Sequence, residues 1–158
     1  MNKKNYITLA KKASNIQINE LKKIKSVFNK SFTKAIDTIL NCKGKVIFAG
    51  VGKSGLVARK ISATFSSVGI PSFFCDPAQA LHGDMGQIEK KDILIIFSYS
   101  GNTSELNNML KYANRFRIKI IGVASKPDSV LLKASDVKLI LPKVKEADVT
   151  GCLLYTSP

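Results

Sequence analysis

The sequence predicts a doubly wound α/β domain built on five parallel strands, and three observations predict it. Short continuous apolar runs recur along the chain, the clearest at Val46-Ile47-Phe48-Ala49, Ile93-Leu94-Ile95-Ile96-Phe97 and Lys119-Ile120-Ile121-Gly122-Val123-Ala124. Runs of this length are expected of strands buried on both faces. Segments with the three-and-four spacing of amphipathic helices separate them. Glycine-rich and hydroxyl-rich turns, 50–55 and 98–103, follow the first two of these runs directly, as turns do where such a sheet binds ligands.

Each element follows in order. Leu21, Ile24, Phe28, Phe32, Ile36, Ile39 and Leu40 predict one or two helices between Ile16 and Leu40, with one face packed and lysines on the other. The run from Val46 is the first strand and closes at Gly50. A helix from Ser54 to Val68 stops at Gly69 and Pro71, before a short second strand, Ser72-Phe73-Phe74. The run from Ile93 is the third strand, followed by a helix whose inward residues are Leu106, Met109, Leu110 and Ala113. The run from Lys119 is the fourth strand, Asp128 to Ala134 a short helix, and Val137 to Leu141 the fifth strand. Strands alternating with helices imply right-handed crossovers and a parallel sheet. The common order 2-1-3-4-5 puts strand one beside strand three, so the loops after both flank the switch point.

Composition narrows the function. The chain has 158 residues, 45% apolar and 23% charged, which fits one globular core and excludes a disordered tail. No run approaches the ~18 apolar residues of a membrane span, and the lysine-rich start is unlike a signal peptide. A cytoplasmic protein with no membrane partner is expected. Cys42, Cys75 and Cys152 are odd in number and form no CxxC pair, so reduced structural thiols are expected. The net charge of +14 raises nucleic-acid binding. However, all cations but Arg59, Arg115 and Arg117 are lysine, and residues 1–45 hold 11 lysines against Glu20 and Asp37. A solvated basic helix face is the simpler reading, and no nucleic-acid partner is expected.

Two loops carry the chemistry. Gly50-Val51-Gly52-Lys53-Ser54-Gly55 matches a dinucleotide fingerprint, and Asp76 lies where a ribose-binding acid would sit. Lys53 inside the loop suits a phosphate or a reacting oxygen better than a pyrophosphate. A Walker loop fails, because the required earlier glycine is Ile47. The second loop, Ser98-Tyr99-Ser100-Gly101-Asn102-Thr103, with Ser104 beyond it, sets hydroxyls around a glycine before a helix N-terminus. Capping explains one of those hydroxyls, not four, so a small phosphorylated ligand is expected there. Glu105 lies at the start of the following helix. His82 is the only histidine and a weak metal candidate, and Glu146 follows the fifth strand. Lys53, His82, Glu105 and Glu146 together form an acid/base set suited to proton transfer next to a carbonyl.

These motifs, with Lys60, Thr64, Pro71-Ser72-Phe73-Phe74, Asp76-Pro77, His82-Gly83-Asp84-x-Gly86 and Glu146-Ala147, resemble the sugar isomerase (SIS) domain of arabinose-5-phosphate isomerases. The match runs in order over about residues 16–147 and implies a flavodoxin-like SIS fold. The resemblance implies an aldose–ketose isomerase interconverting D-ribulose 5-phosphate and D-arabinose 5-phosphate through a cis-enediol. Its product feeds the Kdo sugar of lipopolysaccharide or capsule. It implies catalytic roles for Lys53, His82, Glu105 and Glu146. Gly52, Ser54, Ser98, Ser100, Gly101, Asn102 and Thr103 would bind the substrate and its phosphate. No cofactor and no metal site are implied, and a homodimer or homotetramer is. Two other readings are a sugar-phosphate-sensing SIS domain without catalysis and a dinucleotide-binding enzyme. The acid/base set favours the isomerase over the first, and the serine-rich loop favours it over the second.

The chain departs from the family pattern at Gln79, where a glutamate is usual three residues before the His-Gly-Asp motif. The family's later Ser-His-Pro-Gly-Gly segment and the CBS domains of many members are absent. A single SIS domain incomplete at its C-terminus is therefore expected, with a helical segment over 1–43 and a sheet core over 44–147. Cys152-Leu153-Leu154-Tyr155-Thr156-Ser157-Pro158 reads as translated sequencing adapter, so the native sequence is expected to end near Thr150 or Gly151.

Overall fold

Five strands form one all-parallel sheet in the order β2-β1-β3-β4-β5. They are β1 (Val46–Gly50), β2 (Ser72–Cys75), β3 (Ile93–Phe97), β4 (Lys119–Ala124) and β5 (Val137–Ile140). The computed structural model describes residues 3–145. The expected strand order is the observed one. Val46 pairs with Ser72 on one side and with Ile93 on the other, so β1 is an interior strand and the chain reverses direction of winding between β1 and β3.

Alternation along the strands sorts side chains onto two faces. Val46, Phe48, Ile93, Ile95, Ile121 and Val123 share one cluster with Ala35 and Ala58. These alanines belong to α2 (Lys30–Leu40) and α3 (Gly52–Ser67). Ile47, Ala49, Leu94, Ile96 and Ile120 meet Leu106, Met109, Leu110 and Ala113 of α4 (Leu106–Phe116) and Leu131 and Leu132 of α5 (Val130–Ala134). The four inward residues expected on α4 are its four buried ones. Covering both faces is what makes the strand sequences continuously apolar, and each buried aliphatic side chain contributes about 1.5–3 kcal/mol.

The N-terminal helices lie inside the expected helical segment 1–43 but begin upstream of the apolar spacing. Helix α1 runs from Lys3 to Lys22, well upstream of Ile16, and a 3-10 turn over Lys23–Val27 separates it from α2. The early turns of α1 carry Tyr6, Ile7 and Leu9 exposed, so no sustained apolar stripe signals them. Along α2 and the residues leading into it, the apolar stripe is wider than the face it buries. Ala35 is buried, and Phe32 and Ile39 are half-buried. Phe28 and Leu40 remain 61% and 75% exposed.

The chain forms two compact units. One holds residues 27–141 and contains the whole sheet; the described residues of the other are 3–26 and 142–145. Within the second, Glu20 accepts a hydrogen bond from the Lys145 amide at 2.9 Å and pairs with Lys23. The Lys23 hydrogen bond, then the Lys145 amide, lower the Glu20 pKa.

Candidate functional site

The turn after β1 is tighter than a loop. Val51 caps α3, and Gly52, with φ 58°, already belongs to the helix; the helix therefore starts two residues before Ser54. A Cβ on Gly55 would lie 2.6 Å from the Gly50 carbonyl oxygen, so these two glycines let α3 begin directly against β1. Their first use is strand–helix packing, not approach to a ligand. Lys53 is exposed and Ser54 half-exposed in the first turn of α3, which has no side-chain cap at Val51. A helix N-terminus of this kind carries partial positive charge beside the Lys53 ammonium.

Gly50 is paired with Phe97, which brings this turn beside the loop that follows β3. There Ser98 is buried, its Oγ 2.8 Å from Thr103 Oγ1 and accepting the Gly101 amide at 3.1 Å. Ser100 Oγ accepts the Asn102 amide at 3.3 Å, which leaves its own O–H to donate outward. Gly101 has φ 68° and sits against the Ser129 side chain, where a Cβ has no room. The hydroxyls expected to ring a phosphate thus first build the turn. The Leu106 and Asn107 amides donate to the Thr103 and Ser104 carbonyls at 3.2 and 3.0 Å. The first two amides of α4 are therefore occupied.

The acid/base candidates that the structure describes each follow a different strand: Lys53 follows β1, His82 β2 and Glu105 β3. Glu105 is exposed at the N-cap of α4, and its Oε2 accepts the Ser104 hydroxyl at 2.8 Å. A hydrogen bond from its own backbone, then the Ser104 hydroxyl, hold its carboxyl below the usual carboxylate range. His82 is exposed at the end of a 3-10 helix, Ala80–His82, between β2 and β3. Glu146, like Thr150, Gly151 and Cys152–Pro158, lies outside the described residues. Asp76 Oδ1 accepts the Ala78 amide at 3.0 Å, and its carbonyl accepts the Ala80 amide at 2.8 Å. That carboxylate shapes a turn through one of its oxygens. Cys75 is buried, and burial, then the charges of Asp84 and Asp76, push its thiol up to about 11, so it is a protonated core thiol at neutral pH. Among the described residues no group of three His, Cys, Asp or Glu side chains could hold a metal ion, and no helix is long and apolar enough to cross a membrane.

Sequence reasoning missed the segment that supports the hydroxyl loop. Ser125 donates to the Tyr99 carbonyl through both its amide, at 2.8 Å, and its hydroxyl, at 2.7 Å. The Val130 amide donates to Asn102 Oδ1, and the Leu131 amide to the Gly101 carbonyl, both at 3.0 Å. The available signal was the pair Ser125 and Ser129 around Pro127-Asp128 at a strand end, which reads as an ordinary turn.

Comparison with known proteins fits this architecture. A family model described as the SIS domain matches residues 39–157. Arabinose 5-phosphate isomerase KdsD of Escherichia coli K12 is 39% identical over 131 residues, covering 83% of this chain and 40% of that protein. The chain spans less than half the length of the curated relatives it matches. A solved protein from Listeria monocytogenes superposes with a TM-score of 0.91 at 32% identity, covering 97% of this chain and 81% of that one. An Escherichia coli CFT073 protein in complex with arabinose 5-phosphate superposes with a TM-score of 0.85 at 37% identity, covering 96% of this chain and 81% of that one. With its sheet order, its two facing turns and this match over most of its length, the chain belongs to the SIS domain family.

Proposed function

We propose that the chain is the SIS domain of a cytoplasmic aldose–ketose isomerase that interconverts D-arabinose 5-phosphate and D-ribulose 5-phosphate, on the route to Kdo for lipopolysaccharide or capsule. The observation that carries this reading is the hydroxyl loop 98–103 standing beside the Lys53 turn at the switch point of the sheet. The loop offers the Ser100 hydroxyl and backbone amides to a phosphate without arginine, and the α3 N-terminus with Lys53 offers positive charge to the sugar oxygens. The similarity to KdsD and to the protein solved with arabinose 5-phosphate supports the choice of substrate.

Chemically, a base takes the C2 proton of the aldose while an acid protonates O1, giving a cis-enediol. Loss of the O2 proton and return of a proton to C1 then give the ketose. Lys53 stabilises the charge that develops on oxygen, which is the largest contribution available to the protein in such a reaction. Glu105, His82 and Glu146 are the acid and base candidates. The carbonyl itself acidifies the adjacent C–H, so the proposed route draws on no organic cofactor. Pairing into a homodimer or homotetramer is part of the proposal, with the exposed apolar residues of α2 as the contact.

A thermal-shift series with D-arabinose 5-phosphate, NAD and inorganic phosphate, on wild type and Ser100→Ala, tests the reading, because a ligand bound only to the folded state raises the melting temperature. A rise with the sugar phosphate that Ser100→Ala loses is expected. A rise with NAD alone, or none with any ligand, rejects it.

A further inference from the structure

We propose that Ser125 is a positioning residue for ligand phosphate, fixing the direction of the Tyr99–Ser100 peptide; the inference rests on the reading of loop 98–103 as a sugar-phosphate site. Ser125 follows β4 and is buried at 8% exposure. Its amide and its hydroxyl both donate to the Tyr99 carbonyl, at 2.8 and 2.7 Å, and fill both acceptor positions of that oxygen. Among the described residues no peptide bond is cis. In a planar trans peptide the carbonyl and the next N–H point in opposite directions. Anchoring the Tyr99 carbonyl toward Ser125 therefore turns the Ser100 N–H away from the β4–α5 segment. That amide has no partner among the described residues. A flipped peptide would turn a carbonyl dipole, not an N–H, toward an incoming anion.

The same segment holds the rest of the loop. The Leu131 amide takes the Gly101 carbonyl, the Val130 amide takes Asn102 Oδ1, and Ser129 fills the space beside Gly101. Neutral donors bind phosphate well only when their directions are set before the ligand arrives, since ordering each residue costs about 1–2 kcal/mol of conformational entropy. Ser125 sets the direction of one such donor without touching the ligand.

Calorimetric titration of the full chain with D-arabinose 5-phosphate, and separately with inorganic phosphate, tests this on wild type, Ser125→Ala, Ser125→Thr and Ser135→Ala. Ser135 is a matched control: it is equally buried, and its hydroxyl donates to the Leu131 carbonyl at 2.7 Å, a bond of the same kind outside the loop. Ser125→Ala keeps its backbone bond to Tyr99, so the fold survives. It is expected to weaken both ligands about tenfold, the equivalent of one lost hydrogen bond. Ser125→Thr restores binding to within about threefold, and Ser135→Ala lowers the melting temperature without loss of affinity. Equal affinity in wild type and Ser125→Ala, or equal losses in Ser125→Ala and Ser135→Ala, overturns the positioning role. Wild type that binds phosphate but not the sugar phosphate overturns the proposed function alone, and phosphate affinity in Ser125→Ala still decides the role of Ser125. Wild type that binds neither overturns both.

Discussion

Ser98 and Thr103 close the neck of the hydroxyl loop through a 2.8 Å hydrogen bond between their side chains. Ser98 is buried and also receives the Gly101 amide, whereas Thr103 is half-exposed and has lone-pair capacity to spare. The two hydroxyls therefore answer differently to removal. Ser98→Ala is expected to cost about 1–2 kcal/mol of stability and to weaken phosphate binding, because it removes the hub of the turn. Thr103→Val, nearly the same shape, is expected to cost under about 1 kcal/mol of stability while weakening phosphate binding as much. The double variant should lose less than the sum of the single ones, since both remove the same bond. Urea melts with phosphate titration check all three; equal stability loss for the two single variants would contradict the assignment.

Gly101 makes the turn by a different means. Its φ of 68° is costly for any side-chain-bearing residue, and a Cβ there would run into Ser129 and lie 3.1 Å from the Ala124 Cβ. Gly101→Ala is expected to destabilise the protein by about 2–3 kcal/mol and to abolish the phosphate-induced rise in melting temperature. A variant that melts like wild type and keeps its phosphate response would show that the loop relaxes around an added side chain.

Glu105 gives a pH dependence with a definite sign. The bonds from its own backbone and from Ser104 stabilise the ionised carboxyl, so its pKa lies below the ordinary value. A base with a lowered pKa stays deprotonated to lower pH, and the acid limb of kcat/KM should lie below the range of a free glutamate. Ser104→Ala removes one bond to the charged form, raises the pKa and moves that limb to higher pH, leaving the alkaline limb in place. A pH–rate profile measures this, and an acid limb unmoved by Ser104→Ala would take Glu105 out of the base role.

What could be read from the sequence follows from how local each signal is. The strands at Ile93–Phe97 and Lys119–Ala124 were legible to the residue because burial on both faces leaves no polar interruption. The inward face of α4 was legible because Leu106, Met109, Leu110 and Ala113 keep helical spacing. Helix α1 was legible only in part, since Tyr6, Ile7 and Leu9 are exposed and no packing demand shaped their pattern. The two loops stood out by composition, yet their use of hydroxyls was not readable. Whether Ser98 faces a ligand or Thr103 depends on backbone dihedrals that a list of serines does not encode. Ser125 was invisible for the same reason: its partner, Tyr99, is 26 positions away and contributes a carbonyl, which every residue has.

The opposite end of the sheet supplies a test that separates stability from ligand binding. Asp92 is 1% exposed, immediately before β3. Its Oδ1 accepts the Lys45 amide at 2.7 Å, its Oδ2 accepts the Glu89 amide at 2.8 Å, and the Lys45 ammonium lies 3.2 Å away. One carboxylate thus ties the residue entering β1 to the turn entering β3, the two strands whose far ends carry the candidate site. Burial of Lys45 works against its charge, but Asp92 and then Glu89 outweigh that and raise its pKa, so the ion pair is intact at neutral pH. Asp92→Ala leaves two part-buried amides without their acceptor and is expected to cost about 2–4 kcal/mol. Lys45→Met should cost less, because both amides keep their acceptor. In the folded population of either variant, phosphate affinity should match wild type, since the loops lie at the other end of the strands. Urea unfolding at pH 7, followed by phosphate titration without denaturant, measures both quantities. A loss of affinity in Asp92→Ala that exceeds its loss of folded protein would mean that strand register, and not the loops alone, holds the site in shape.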